Sequence, residues 1–525
     1  MGTPEVTVPV KPFYFNFGLE EDRDQAFEDA MNDSFSATLG SVTPTSVTSS
    51  RSNSEKNSCC NRKMLNIVLL GLGFCCTFGP MQICMLAQTV ILNSVRDEYF
   101  TGTSTFGYLS LGITFTAMTI SFFLAPALSV LAGPKNAMLI GAACLTLSIS
   151  SFVRPLEITL YIGSVAQGIG CGIIWTVYGH FLTENSTLKT MGRNTGIFWV
   201  LFEIGPVSLN IFYVFITQGA TTITEEMRHL LFMVLLPVSA IGICTFACLD
   251  TCLPKSSEEA EPKKLTIYKT TKSNRLLLAK EALRDEVRMA FTKEMFMLIP
   301  IFVYMGVELT FYINVFGTSL GYSRQFGDLR ESLVGLHGLF VAVGQMAGGL
   351  VYGLLGGCQR KYGRDTGILL ALLLHMVGFY LAYLVIPERA AFDMTSDHSL
   401  VPPSPYLALT CSFLFGFGDA GWNNPLFAVF GILYPQNPVA AFAIFQAYQS
   451  FGNVIAFAYS GAIRIPYQLL IVTVLGIFGA FGFFFVDWKI VSDEKKLKQS
   501  LAKSLVLVVD KPIRSDNSPP QSTIL

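Results

Sequence analysis

The sequence predicts an all-α polytopic membrane protein, with twelve transmembrane helices in two pseudo-symmetric six-helix halves. Three observations carry this: the composition, the spacing of the apolar runs, and a likeness between the two halves. Of 525 residues, 51% are hydrophobic and 14% charged, against about 25% charged in soluble proteins. Mean hydropathy is +0.49. Runs near the roughly 20 apolar residues that cross a bilayer recur along the chain. Net charge is −1 and no basic block occurs, which argues against nucleic acid as a partner.

Residues 1–63 read as a soluble tail. It holds the acidic patch Glu20–Asp24 and a Ser/Thr-rich run from Ser34 to Ser58, a composition that cannot bury a core and is expected to stay disordered. No basic-then-apolar pattern marks a signal peptide. Twelve spans are expected near 64–91, 105–131, 136–153, 157–180, 195–217 and 230–250, then 294–317, 332–356, 366–386, 405–431, 438–461 and 466–487. The domains are thus an N-terminal half (64–250), a basic linker (251–293), a C-terminal half (294–487) and a second tail (488–525).

Orientation follows from Lys and Arg near the span ends. The linker, Arg62-Lys63 and Lys489, Lys495, Lys496 and Lys498 all fall on one side if the spans are even in number. Both termini are therefore expected in the cytoplasm. The triplets starting at Asn32 and Asn185 would then escape glycosylation. Cys59 and Cys60, beside Arg62-Lys63, are candidate palmitoylation sites. Thr523 and Leu525 end the chain in a pattern that PDZ domains capture by strand addition.

The halves resemble each other late in each six. Gly168-Ile-Gly170 and Trp175 match Gly416-Phe-Gly418 and Trp422, offset by about 247. Ile197-Phe198 and Gly205 match Ile444-Phe445 and Gly452 at the same offset. Earlier spans are offset by about 227, and the longer loop from Pro387 to Pro405 accounts for the change. Two six-span halves joined by a basic linker is the layout of the major facilitator fold, which binds ligands near the midplane where repeats meet. Gly344, Gly348, Gly349 and Gly353 are expected to allow close helix packing.

Three carboxylates lie inside the spans: Asp419, Glu308 and Glu203. A charge at the bilayer centre costs at least ~2.5 kcal/mol, so such groups face an interior. Asp419 sits in Gly416-Phe-Gly-Asp-Ala-Gly-Trp-Asn-Asn-Pro425; its neighbours Asn423 and Asn424 and the helix-disturbing Pro425 mark that span as the wall of a cavity. An acidic interior suits a proton, a cation or a cationic solute. Gln82 and Gln167 are expected beside it. Gln88, Gln345, Gln446, Gln449 and Asn453 supply further amides, while His337 and His375 are read as hydrogen-bonded helix contacts. The cysteines inside the spans pack as small apolar groups, with no Cys-x-x-Cys pair. No serine triad, phosphate loop, metal-spaced cluster or nucleotide fingerprint occurs, so neither enzyme nor cofactor nor metal is expected.

Ala87-Gln-Thr-Val-Ile91, Ile174-Trp-Thr176, Gly192-Arg-Asn-Thr-Gly-Ile-Phe-Trp199, Phe417-Gly-Asp419 and Ala441-Phe-Ala-Ile-Phe445 go beyond the generic fold. With them the chain resembles the uncoordinated-ninety-three-like family, a branch of the major facilitator superfamily, and most of all its orphan major-facilitator-domain members. The turn Gly133-Pro-Lys135 departs from the superfamily pattern, whereas Gly357 to Arg364 is similar to it. The resemblance implies twelve spans and two alternative roles: proton- or cation-coupled transport of an unknown solute, or a non-transporting regulatory or escort subunit of a channel or receptor.

Overall fold

The computed structural model describes residues 50–94, 106–186, 191–220, 223–249, 272–354, 364–434 and 437–509. These residues are almost wholly helical; one isolated bridge, Ser323–Thr395, is the exception among them. In chain order the helices are α1 (Ser50–Ser94), α2 (Phe106–Ala132), α3 (Pro134–Ser151), α4 (Glu157–Glu184), α5 (Met191–Thr217), α6 (Glu225–Ala247) and α7 (Lys272–Ala290). Then follow α8 (Lys293–Leu309), a π-helical segment (Thr310–Val315), α9 (Phe316–Tyr322), a 3-10 turn (Arg324–Leu329), α10 (Arg330–Leu354), α11 (Asp365–Val385), α12 (Pro405–Leu433), α13 (Pro438–Ser460) and α14 (Ile465–Val509). Among the described residues, nine helical stretches are long and apolar enough to cross a membrane, α8 to α9 counting as one. The helices α3, α12 and α13 are not among these nine; α12 carries Asp419 and two amides.

Local chemistry sets the helix starts. Thr224 and Thr292 accept the N–H of Met227 and Met295 as N-caps. Ser404 and Asn437 do the same ahead of Pro405 and Pro438, which occupy first-turn positions where a missing N–H costs nothing. Gly133, at φ 83°, makes the tight α2–α3 turn that a side chain would strain.

The helices pack in a repeated pattern. Within α1–α6 the main neighbours are α1–α5, α1–α6, α2–α4, α3–α4 and α3–α6; within α8–α14 they are α8–α13, α8–α14, α10–α12, α11–α12 and α11–α14. The groups meet through α2–α13 and α5–α10. One hydrophobic core lies wholly within residues 67–249, and another is drawn mainly from residues 295–490.

Several boundaries differ from expectation. Helix α1 begins at Ser50, inside the stretch read as a disordered tail, and α14 runs on to Val509. The basic linker contains α7, which packs on both α2 and α13. Pro425 does not break α12. The irregular backbone lies instead in the seventh expected span, as the π segment just after Glu308. Such segments widen a helix locally and recur at functional sites.

A Cβ at Gly344 or Gly348 would press on Phe413 or Phe417 of α12. A Cβ at Gly349 would not, because it lies one residue around the helix from that contact, with nothing among the described residues within 4 Å. The side chains of Cys59 and Cys60, the surroundings of Gly353, and all of Thr523 and Leu525 lie outside the described residues. Asn185 is buried and accepts the Asn66 amide at 2.8 Å, so no glycan fits there.

Candidate functional site

Asp419 and Glu308, 111 positions apart in sequence, are brought into interaction by the packing of the second helix group. Glu308 is fully buried on α8 and Asp419 is 8% exposed on α12. Between them comes a residue read from sequence as a mere helix contact, His375 of α11, also fully buried.

The ring of His375 has defined partners. Its Nε2 is 3.1 Å from the Phe415 carbonyl; a carbonyl only accepts, so that nitrogen carries a hydrogen. The indole N–H of Trp422 donates to Nδ1 at 3.2 Å. Tyr304 Oη lies 2.7 Å and Glu308 Oε2 lies 2.8 Å from the same Nδ1. Three groups thus crowd one ring nitrogen, whose single lone pair can accept from only one of them at a time. Neither Glu308 oxygen has a conventional hydrogen-bond donor.

Asp419 is held from the other side. Gln345 of α10 donates to its Oδ2 at 3.0 Å and lies 3.4 Å from Tyr312 Oη. Asn423, one turn along α12, donates to Oδ1 at 3.1 Å. The arrangement can take up or release a proton, or meet a cation, through Asp419.

Among the expected site residues, Asp419, Glu308 and Asn423 therefore come together. Asn424 does not join them; its amide bonds back to the Ala420 carbonyl at 2.9 Å, on another face of α12. Gln167 lies in the first helix group and accepts the Ser148 hydroxyl at 2.8 Å. Gln82 is half-buried on α1, and Glu203 is half-buried on α5 with no hydrogen bond or ion pair among the described residues. Sequence reasoning missed His375 and Tyr304 as members. Only Tyr304 had a local signal, one helical turn before Glu308.

Whether this site can be reached depends on the seam between the groups. Four hydrogen bonds cross it among the described residues. They are Thr89 with Thr318, Tyr322 Oη to the Thr89 carbonyl, Tyr108 Oη to the Ala391 carbonyl, and Ser332 Oγ to the Thr217 carbonyl. All involve the end of the molecule where α1 and α5 finish and α2 and α10 begin. Towards the other end, where α6 finishes and α8 begins, nothing among the described residues lies within 4 Å of a Cβ built at Gly196 or Gly349. A surface recess of about 340 Å³ lined by Glu388, Asp397, His398 and Arg464 lies at the closed end. It carries exposed charges of both signs and none of the buried cluster, so the chemistry is not there.

A helical membrane protein with a buried carboxylate–imidazole cluster beside a one-sided gap is built as a transporter-type fold. The structural comparison agrees. The nucleoside transporter NupG superposes with a TM-score of 0.54 at 15% identity, covering 81% of this chain and 99% of that one. The xylose transporter XylE from E. coli, in a partially occluded inward-open conformation, gives 0.56 at 12%, covering 80% and 98%. These likenesses speak for the major facilitator fold alone.

The sequence comparison identifies the branch. The family model described as ion channel regulatory protein UNC-93 matches residues 101–484. The UNC93-like protein MFSD11 of Xenopus laevis is 36% identical over 82% of this chain and 97% of its own length. The chain belongs to the UNC-93 family.

Proposed function

We propose that this protein is a proton-responsive membrane carrier that moves a small solute by alternating exposure of one central site. The observation that carries this is the buried Glu308–His375–Asp419 cluster, which in this reading shares a proton, next to a gap that is closed at one end. Buried ionisable groups inside a membrane domain are costly and mark ion or proton pathways. In this reading twelve spans form two halves, 64–250 and 294–487. The pairings α1–α5, α1–α6, α2–α4, α3–α4 and α3–α6 recur as α8–α13, α8–α14, α10–α12, α11–α12 and α11–α14, which supports the repeat. Both termini and the 251–293 linker lie in the cytoplasm, so the gap opens inward.

The test is solute flux in vesicles containing the purified protein, with an internal pH dye. A solute that moves protons with the wild type and not with Asp419→Asn, at equal folded protein, is the expected result. Proton-linked flux unchanged in Asp419→Asn would remove the cluster from the mechanism.

A second reading draws on the family, whose model is described as an ion channel regulatory protein. There the same fold is a non-transporting regulatory or escort subunit that binds a channel, receptor or PDZ protein. It requires a membrane partner that co-purifies at fixed stoichiometry, and a monodisperse protein with no such partner counts against it.

A further inference from the structure

The two helices that meet at the seam, α5 and α10, carry a continuous stripe of facing residues. On α5 the stripe runs Trp199, Glu203, Pro206, Asn210 and Tyr213; on α10 it runs Gly335, Gly338, Ala342, Gln345 and Gly349. Steps of three and four keep each set on one helix face. At the closed end the stripes touch: Gly335 lies against Tyr213 and Gly338 against Asn210. At the other end nothing among the described residues lies within 4 Å of a Cβ built at Gly349, or at Gly196 just before Trp199. The helices have parted there, leaving Trp199 and Glu203 on one wall and Gln345, which holds Asp419, on the other.

That gap has a defined chemistry. Trp199 and Trp175 lie with ring centroids 6.0 Å apart, backed by Phe202 at 5.5 Å from Trp199 and Phe78 at 5.3 Å from Trp175. Both indoles and Glu203 are partly exposed, as are Gly196, Ile197 and Leu201 along the same stretch of α5. Met85 and Met118 touch both large cores and so lie between the aromatic and the acidic side. Indole faces attract cations, and do so more strongly when water is excluded. No Lys or Arg occurs in α4, α12 or α13; those of α5 and α10 lie near their ends, at Arg193 and Arg330.

We infer that the gap binds an organic cation with an apolar body. Trp199 and Trp175 receive its charged head, Glu203 pairs with it on entry, and Asp419, reached through Gln345, is where its charge competes with the proton held at Glu308. This rests on the carrier reading but concerns binding, and the two can fail separately.

The experiment is equilibrium binding of benzyltrimethylammonium to purified full-length protein, followed by tryptophan fluorescence and by the rise in melting temperature that a ligand for the folded state produces. Benzyl alcohol and benzenesulfonate are the neutral and anionic controls. Saturable binding of the cation, with each control at least about tenfold weaker, is expected. Trp199→Leu and Glu203→Gln should each weaken it by roughly five- to thirtyfold, the range of a desolvated cation–π or charge contact. Trp199→Phe keeps a ring and should lose less, which guards against misfolding as the cause. Equal affinity for benzyl alcohol, or binding unchanged in both Trp199→Leu and Glu203→Gln, overturns the inference. Cation binding without any proton-linked flux upholds it and sinks the carrier reading. Proton-linked flux of a neutral or anionic solute, with no cation binding, does the reverse.

Discussion

At matching depth the two helix groups have been filled in opposite ways. By the offset of about 227, Glu308 corresponds to Met81, Gln345 to Met118 and His375 to Ser148; by that of 247, Trp422 corresponds to Trp175. The second group thus holds an acid–imidazole–amide network. The first holds thioethers and rings: Met81 lies 3.9 Å from the Cys171 sulfur, and Phe74 contacts Phe78, Trp175, Tyr178, Phe198 and Phe202. Trp422 is fully buried and spends its N–H on His375, whereas Trp175 is half-exposed at the gap. Two helix groups with the same packing pattern can therefore divide labour. The polar half handles charge, and the apolar half presents a shaped surface without burying unpaired groups.

The largest expected effect comes from dismantling the network. Glu308→Ala leaves His375, Trp422 and Tyr304 around an empty acceptor position, and removing one partner of a buried pair costs roughly 3–5 kcal/mol. A melting temperature unchanged in detergent would show the network to be dispensable for folding. Imposing the polar pattern on the apolar half should come next. Met81→Glu places an acid among Cys171 and the aromatic core with no partner, at a cost of about 2 kcal/mol or more, and monodispersity by size exclusion reports it.

Glycines separate packing from gap. Gly344→Val drives a side chain into the Phe413 carbonyl and should destabilise by about 1–3 kcal/mol. Gly349→Ala, facing open space, should be neutral or stabilising by up to ~1 kcal/mol. Similar losses from both variants would erase the distinction.

The smallest effect lies outside the spans. Glu286 of α7 is buried against α2 and α13 with both oxygens unpaired. Burial pushes its carboxyl from the usual range up to about 8. The folded protein then holds a proton that the unfolded chain has released, so stability falls as pH rises from about 4.5 to about 8. Glu286→Gln should flatten that slope and raise the melting temperature at the upper end; identical pH profiles would show that the helix does not rest on a neutral Glu286.

Much of the architecture was readable without coordinates. The hydrophobic runs located the apolar part of each helix, because lipid leaves the backbone no alternative to internal hydrogen bonding, but not the polar extensions of α1 and α14 or the helix α7. The Asp419–Asn423 contact was also readable, since residues four apart share a helix face. Glu308, Asp419 and their amides could be named as interior groups, because unpaired polarity in lipid is too costly to be incidental.

Which of these groups met was another matter. His375 stands 67 positions from Glu308 and 44 from Asp419, and no local periodicity links positions on α8, α11 and α12. Glu203 and Asn424 had the same claim by residue type, yet helix rotation turned Asn424 back onto its own backbone and left Glu203 across the seam. The displacement of the irregular backbone from Pro425 to the segment after Glu308 is likewise a packing result. Sequence alone determined that polar groups must face inward. Only the rotation and crossing of the helices decided which of them meet and which stay apart.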